Sequence, residues 1–221
     1  MNQSIYLESA YLAPVQYYTK LYHYPEVFTE VQDNYIKQTY RNRCHIATAD
    51  GVLALSIPIE KPDTPKCVMK DIRISDHGKW RHLHWNALCS AYRHSPFFEY
   101  YEDDFRPFYE QKFEFLCDFN EALCHTVCRL MDLDVQPART TEYQKELPSN
   151  ITDARGLIHP KRSFSDDLTF SPRPYYQVFG QKHGFLPNLS IADLLFNMDP
   201  ESLIVLQESF QGTENKPNLN L

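Results

Sequence analysis

A chain of 221 residues is long enough to bury one sizeable core, and 43% hydrophobic with 23% charged residues is the balance of an ordinary globular domain rather than a disordered or fibrous one. With 22 Lys and Arg against 29 Asp and Glu, the net charge of -7 disfavours the broad phosphate contact of a nonspecific nucleic-acid binder, so no nucleic-acid partner is expected. Met1 to Tyr11 has no basic start followed by a long apolar run, and no window approaches the ~20 apolar residues of a membrane span, which predicts a single cytoplasmic domain over residues 1–221 with no membrane span.

The opening apolar and aromatic stretch Ile5 to Leu12 reads as a strand, and Pro14 as the entry to a helix over Val15 to Tyr22. Val27 to Val31 reads as a second strand. Thr39 to Ala47 and Val52 to Ile59 flank Asp50-Gly51, the turn signal of a hairpin. Lys70 to Ser75 offers another short strand after a Pro-bearing loop. From Trp80 the apolar period becomes helical, through His84, Leu88 and Ala91, until Ser95-Pro96 ends the run. A longer helix is expected from about Glu110 to Met131, on the stripe Phe113, Leu116, Phe119, Leu123, Val127 and Leu130.

Residues 145–174 carry Pro, Ser, Asp and Asn with little apolar periodicity, which reads as an irregular segment and a candidate lid. Ser190 and Asp193 suit a capping box ahead of Leu194 to Phe196, a further helix runs from Asp199-Pro200 through Leu206, and residues 211–221 read as a polar tail. The fold class expected is α/β: a mixed sheet of N-terminal strands and a β-hairpin, packed by several helices in the second half.

Six cysteines without a CxxC pair read as reduced thiols, with Cys117, Cys124 and Cys128 at helical spacing on or near a buried stripe. Strand alternation through the hairpin places Arg41, Arg43 and His45 on one face, and two forks at i and i+2 suit an anion, or else form a solvated charged face. Trp80 and His84 share a helix face while His82 does not, so His-x-His cannot chelate one metal there; His84 reads either as a general base or as a hydrogen-bonded core histidine. Tyr92, Pro96, Phe98 and Tyr101 form an aromatic platform, for packing or for stacking. Arg155, His159 and Lys161 make a basic group on the irregular segment, able to close over an anionic substrate or to stay in water. No metal site and no particular cofactor is indicated, and the sequence leaves the oligomeric state open.

Tyr-Leu-Ala-Pro at 11–14, Tyr-Arg-Asn-Arg at 40–43, Trp-Arg-x-x-His-Trp at 80–85, Ser-Pro-Phe-Phe-Glu-Tyr-Tyr at 95–101, Asp-Ala-Arg-Gly-Leu-Ile-His-Pro-Lys at 153–161, Tyr-Tyr-Gln-Val-Phe at 175–179 and Pro-Asn-Leu-Ser-Ile-Ala-Asp-Leu-Leu-Phe-Asn at 187–197 stand in an order and spacing that resembles the WbqC-like family of bacteria. That family takes its name from a product of lipopolysaccharide O-antigen gene clusters, and the resemblance implies a transferase, moving an acyl, aminoacyl or sugar group in surface-polysaccharide biosynthesis. Where many relatives carry His-Gln-Pro after the first strand, this chain has Glu8-Ser9-Ala10 ahead of Tyr11. On this reading His84 is the catalytic base, and Arg41, Asn42, Arg43, Trp80, Tyr92, Tyr101, Arg155, His159 and Lys161 bind the substrate, an anionic small molecule such as an activated saccharide or aminoacyl donor. The alternative is a noncatalytic module that binds protein or glycan through an aromatic surface.

Overall fold

The computed structural model describes residues 3–62, 64 and 66–212. In β1 (Ser4–Glu8), buried Ile5 and Leu7 alternate with half-buried Tyr6 and Glu8, the two-residue period of a strand. Pro14 precedes α1 (Val15–His23), which has no side-chain cap of its own. Its first free donors are met from far along the chain: the Leu189 carbonyl accepts from Val15 N–H at 2.9 Å and Asn188 Oδ1 from Gln16 N–H at 3.0 Å. The helix returns the chain to β2 (Glu26–Glu30), parallel to β1 with Ser4 opposite Glu26 and Glu8 opposite Glu30.

The hairpin of β3 (Arg43–Thr48) and β4 (Gly51–Ser56) turns at Gly51, whose φ of 106° suits a residue without Cβ. There follow α2 (Trp80–Tyr92), α3 (Phe98–Glu110) and α4 (Leu116–Leu130), then the short strands β5 (Ala138–Arg139) and β6 (Ile151–Asp153). The last elements are α5 (Gly180–His183), α6 (Ile191–Met198) and α7 (Ser202–Glu208). The parallel sheet runs in the order β5-β2-β1-β6, and the hairpin forms a separate antiparallel pair, so the fold is α/β. Ile5, Leu21, Ile46, Leu88, Phe105, Phe119 and Phe196 belong to one buried cluster that joins sheet, hairpin and helices. Each such side chain withdrawn from water contributes about 1.5–3 kcal/mol.

Four expectations need correction. Strand β3 begins at Arg43, so Arg41 lies in the preceding turn and does not share a hairpin face with Arg43 and His45. The helix expected from about Glu110 to Met131 is shorter, α4 over Leu116–Leu130: Glu110 ends α3, a helix the sequence reading did not expect, Gln111 is extended, and Phe115 bridges to Arg73 before α4 starts. Lys70 to Ser75 supplies a 3-10 turn at Met69–Asp71 and isolated bridges at Arg73 and Ile74 rather than a strand. Residues 145–174 hold β6, which pairs with the central strand, and their Ala154, Ile158 and Phe170 are buried, so much of this stretch is built into the fold. Of the polar tail, residues 213–221 lie outside the described residues.

Candidate functional site

Every strand of the parallel sheet ends in a charged residue: Glu8 on β1, Glu30 on β2, Asp153 on β6 and Arg139 on β5. The chain leaves β1 for β2 on one side, whereas β6 joins β1 on the other. The strand order therefore reverses between β1 and β6, and such a reversal opens a crevice in α/β sheets. A small open pocket lies there, lined by Leu7, Glu8, Tyr17, Tyr40, Ala154 and Ile158.

Two ion-pair groups flank it. Arg155 donates from Nε and Nη2 to the two oxygens of Asp153 at 2.9 and 2.7 Å, and from Nη1 to Glu30 at 3.1 Å and to the Gln144 carbonyl at 2.8 Å. Glu30, wholly buried, also accepts from Gln32 N–H at 2.8 Å and from Thr140 Oγ1 at 2.7 Å. All three guanidinium nitrogens of Arg155 are therefore occupied.

Arg41 differs. Its Nη2 donates to Glu8 at 2.9 Å and to Asp33, yet its Nε and Nη1 have no partner although the side chain is fully buried. Asp33 Oδ1 beside it is unpartnered too. Burial pushes the Asp33 carboxyl up to about 6; Arg41 works against that, and the neighbouring Glu8 and Glu30 charges add to it. His159 is pushed down, by burial first, against the pull of Glu8. Its Nδ1 accepts from Lys161 N–H at 3.0 Å, and Lys161 Nζ reaches Gln38 on the loop that carries Asp33 and Arg41.

The structure thus gathers Arg41, Arg155, His159 and Lys161 around the carboxyl end of the sheet, and leaves the other expected site residues elsewhere. His84 is 5% exposed; its Nδ1 meets the Tyr11 hydroxyl at 3.0 Å, and the ring also hydrogen-bonds the Ser56 main chain. Trp80 packs edge-on to His84 and to Phe119 in the core. Tyr92 is buried, donating to Asp193 at 2.9 Å. Asn42 donates to the Ile57 carbonyl at 2.8 Å, Arg43 Nε to Ser56 Oγ at 2.9 Å on the hairpin, and Tyr101 to Asp199. Most rings of the expected aromatic platform are therefore engaged in packing.

Glu8, Glu30 and Asp33 are the site residues that sequence reasoning passed over. The signal was there: an acid inside or just after an apolar strand is rarely buried unless it is paired. Among the described residues no group of three or more His, Cys, Asp or Glu stands ready to hold a metal ion, and no helix is long and apolar enough to cross a membrane.

Compared with known proteins, residues 9–155 match the model of the WbqC-like protein family. That span ends just past β6 and holds all of the charged cluster except Glu8, His159 and Lys161. The chain is also similar to the uncharacterized protein Rv1507c of Mycobacterium tuberculosis (strain ATCC 25618 / H37Rv), 25% identical over 227 residues that cover 91% of this chain and 96% of that protein. No solved structure matches.

Proposed function

The chain belongs to the WbqC-like protein family, and on that footing we propose that it is a group-transfer enzyme whose acceptor binds in the crevice between β1 and β6. The observation that carries this reading is one cluster of three unpartnered buried polar atoms, Arg41 Nε, Arg41 Nη1 and Asp33 Oδ1. A buried polar group without a partner costs about 1–3 kcal/mol, a cost that a ligand removes by supplying the missing bonds.

The charge balance selects the ligand. Glu8, Glu30, Asp33 and Asp153 outnumber Arg41 and Arg155 four to two, so the crevice favours an amine or hydroxyl of a saccharide over a bare anion. Asp33, with its carboxyl near 6, is mostly ionised at neutral pH yet basic enough to take the acceptor's proton. Arg41 Nε and Nη1 hold an acceptor oxygen, while Lys161 and His159 stand where an activated donor's negative charge would enter. Acyl, aminoacyl or sugar transfer in bacterial surface-polysaccharide assembly is the setting that the family resemblance supports.

Calorimetry with nucleotide-activated amino sugars as probes tests the proposal. We expect saturable binding that weakens about ten- to a hundredfold in Arg41→Lys. Asp33→Asn should keep binding and lose turnover of the bound acceptor by about a hundredfold or more. Absence of binding across the probe set, or Arg41→Lys binding as well as the parent, overturns the assignment.

A further inference from the structure

The hairpin is separate from the parallel sheet, and the fold treats its two outer edges differently. Just past the strand ends the Asn42 carbonyl accepts from Ile57 N–H at 2.8 Å. Counting along the antiparallel ladder from that pair, the main-chain groups of Arg43, His45 and Ala47 turn outward on β3, and those of Val52, Ala54 and Ser56 turn outward on β4. The β3 edge is closed: the His45 carbonyl accepts from Ser190 N–H at 2.8 Å, and Ala47 N–H donates to the Tyr92 hydroxyl at 3.3 Å. On the β4 edge, none of the described residues bonds to the amides and carbonyls of Val52 and Ala54.

Val52 and Leu53 are 54% and 40% exposed, and Ala54 is exposed beside them. Open edges are ordinarily guarded by a charge, a proline or a bulge. From Gly51 to Ser56 there is no charged residue and no proline, and the register against β3 runs without a break. The charges stand at the two ends of the edge instead. Asp50 is exposed at the tip of the turn, and Arg43 Nε donates to Ser56 Oγ at 2.9 Å, which lays its guanidinium over the far end of β4. Among the described residues neither charge has a salt-bridge partner.

We propose that β4 pairs antiparallel with β4 of a second copy of this chain about a two-fold axis at Leu53, joining two two-stranded hairpins into one four-stranded sheet. The symmetry makes the same strand both donor and acceptor: Val52 stands opposite Ala54 of the second copy, and each exchanges its amide and carbonyl with the other. Asp50 comes opposite Ser56 of the second copy, hence beside the Arg43 guanidinium there, and the reverse contact forms at the other end. Centring the axis on Ala54 would carry Asp50 past that guanidinium to Pro58, so the charges select the register. Leu53 faces its own symmetry mate in a non-hydrogen-bonded pair, the Cβ atoms about 4.5–5.5 Å apart. The interface is independent of the crevice and of the role given to Asp33.

Sedimentation velocity on the full chain at about 100 μM, with a dilution series to give Kd, is expected to show a dimer. Ala54→Pro removes only an outward amide, because the hairpin's own bonds use the neighbouring residues, and should weaken dimerisation about tenfold or more. Asp50→Arg and Arg43→Asp should each weaken it, and the two together should restore it. Under mild oxidation Leu53→Cys should link two copies, with the bond mapped to position 53, and faster than Val52→Cys, whose symmetry mate lies further along the strand. A parent chain that stays monomeric, Ala54→Pro pairing as tightly as the parent, no rescue in the double charge variant, or cross-linking at position 52 as fast as at 53 overturns the proposal.

Discussion

At position 84 the fold holds a titratable ring neutral: burial drives His84 down to about 4, although the ring's bond to the Ser56 main chain pulls the other way. A base depressed in the folded state binds its proton more readily when unfolded, so its stabilisation is complete above the ordinary value near 6.5 and fades as pH falls toward 4. The stability difference between the parent and His84→Asn, measured by urea denaturation, should therefore shrink by about 3 kcal/mol between pH 6.5 and 4. A difference independent of pH would refute this account. The sequence left His84 open between base and core residue, and periodicity could not choose, because a buried imidazole and a reactive one lie on the same helix face. Arg41 entered the sequence reading on a geometry that the fold does not have. Strand alternation paired it with Arg43, whereas its partners Glu8 and Asp33 come from the end of β1 and from the loop after β2.

Long periodic segments were the easiest elements to read: α1, the hairpin and α2 stand close to where their patterns put them. The strand β6 was not legible, because Ile-Thr-Asp is too short to show alternation and sits among turn-forming residues. The segment after it looked like a lid for the same reason, yet a buried ion pair fastens it: Lys20 of α1 meets Asp167 at 2.7 Å, the two side chains 2% and 3% exposed. Gln16 adds a hydrogen bond to Asp167 at 2.9 Å. Breaking one side of a buried pair leaves an uncompensated charge and costs about 3–5 kcal/mol. Lys20→Met should accordingly lower the unfolding free energy by that amount and open new protease cleavage between residues 157 and 170, while the parent resists. Equal cleavage of both would mean that the pair does not anchor the segment.

Asp193 ties α6 to α2 and to the segment before α5. Its carboxylate accepts from Tyr92 of α2 at 2.9 Å, from Tyr175 at 2.7 Å and from Gln177 at 2.8 Å, and the Tyr92 hydroxyl in turn accepts from Ala47 N–H of the hairpin. Capping explained Ser190 correctly but not Asp193, since only Ser190 takes a helix N–H. Burial pushes Asp193 up to about 6, and a raised acid stabilises most below its ordinary value near 3.8 and loses that contribution as pH rises through 6. Asp33 behaves alike, while His23 and His84, both pushed down to about 4, act in the opposite sense over the same interval. These four groups nearly cancel one another between pH 4 and 6.5. Asp193→Asn should instead lose about 3 kcal/mol more than the parent on acidification across that interval; parallel profiles would contradict the balance.

The pairing of Ser4 with Ile151 has a consequence for biogenesis. A ribosome adding about 5–20 residues per second needs roughly 7 to 30 seconds between those two positions. Throughout that wait the nascent first strand has a neighbour on one flank and bare amides on the other, the sort of edge that recruits stray chains. Holding by a chaperone until the late strand emerges, or simply slow elongation, would protect the newborn protein at the stage when it is most exposed to aggregation.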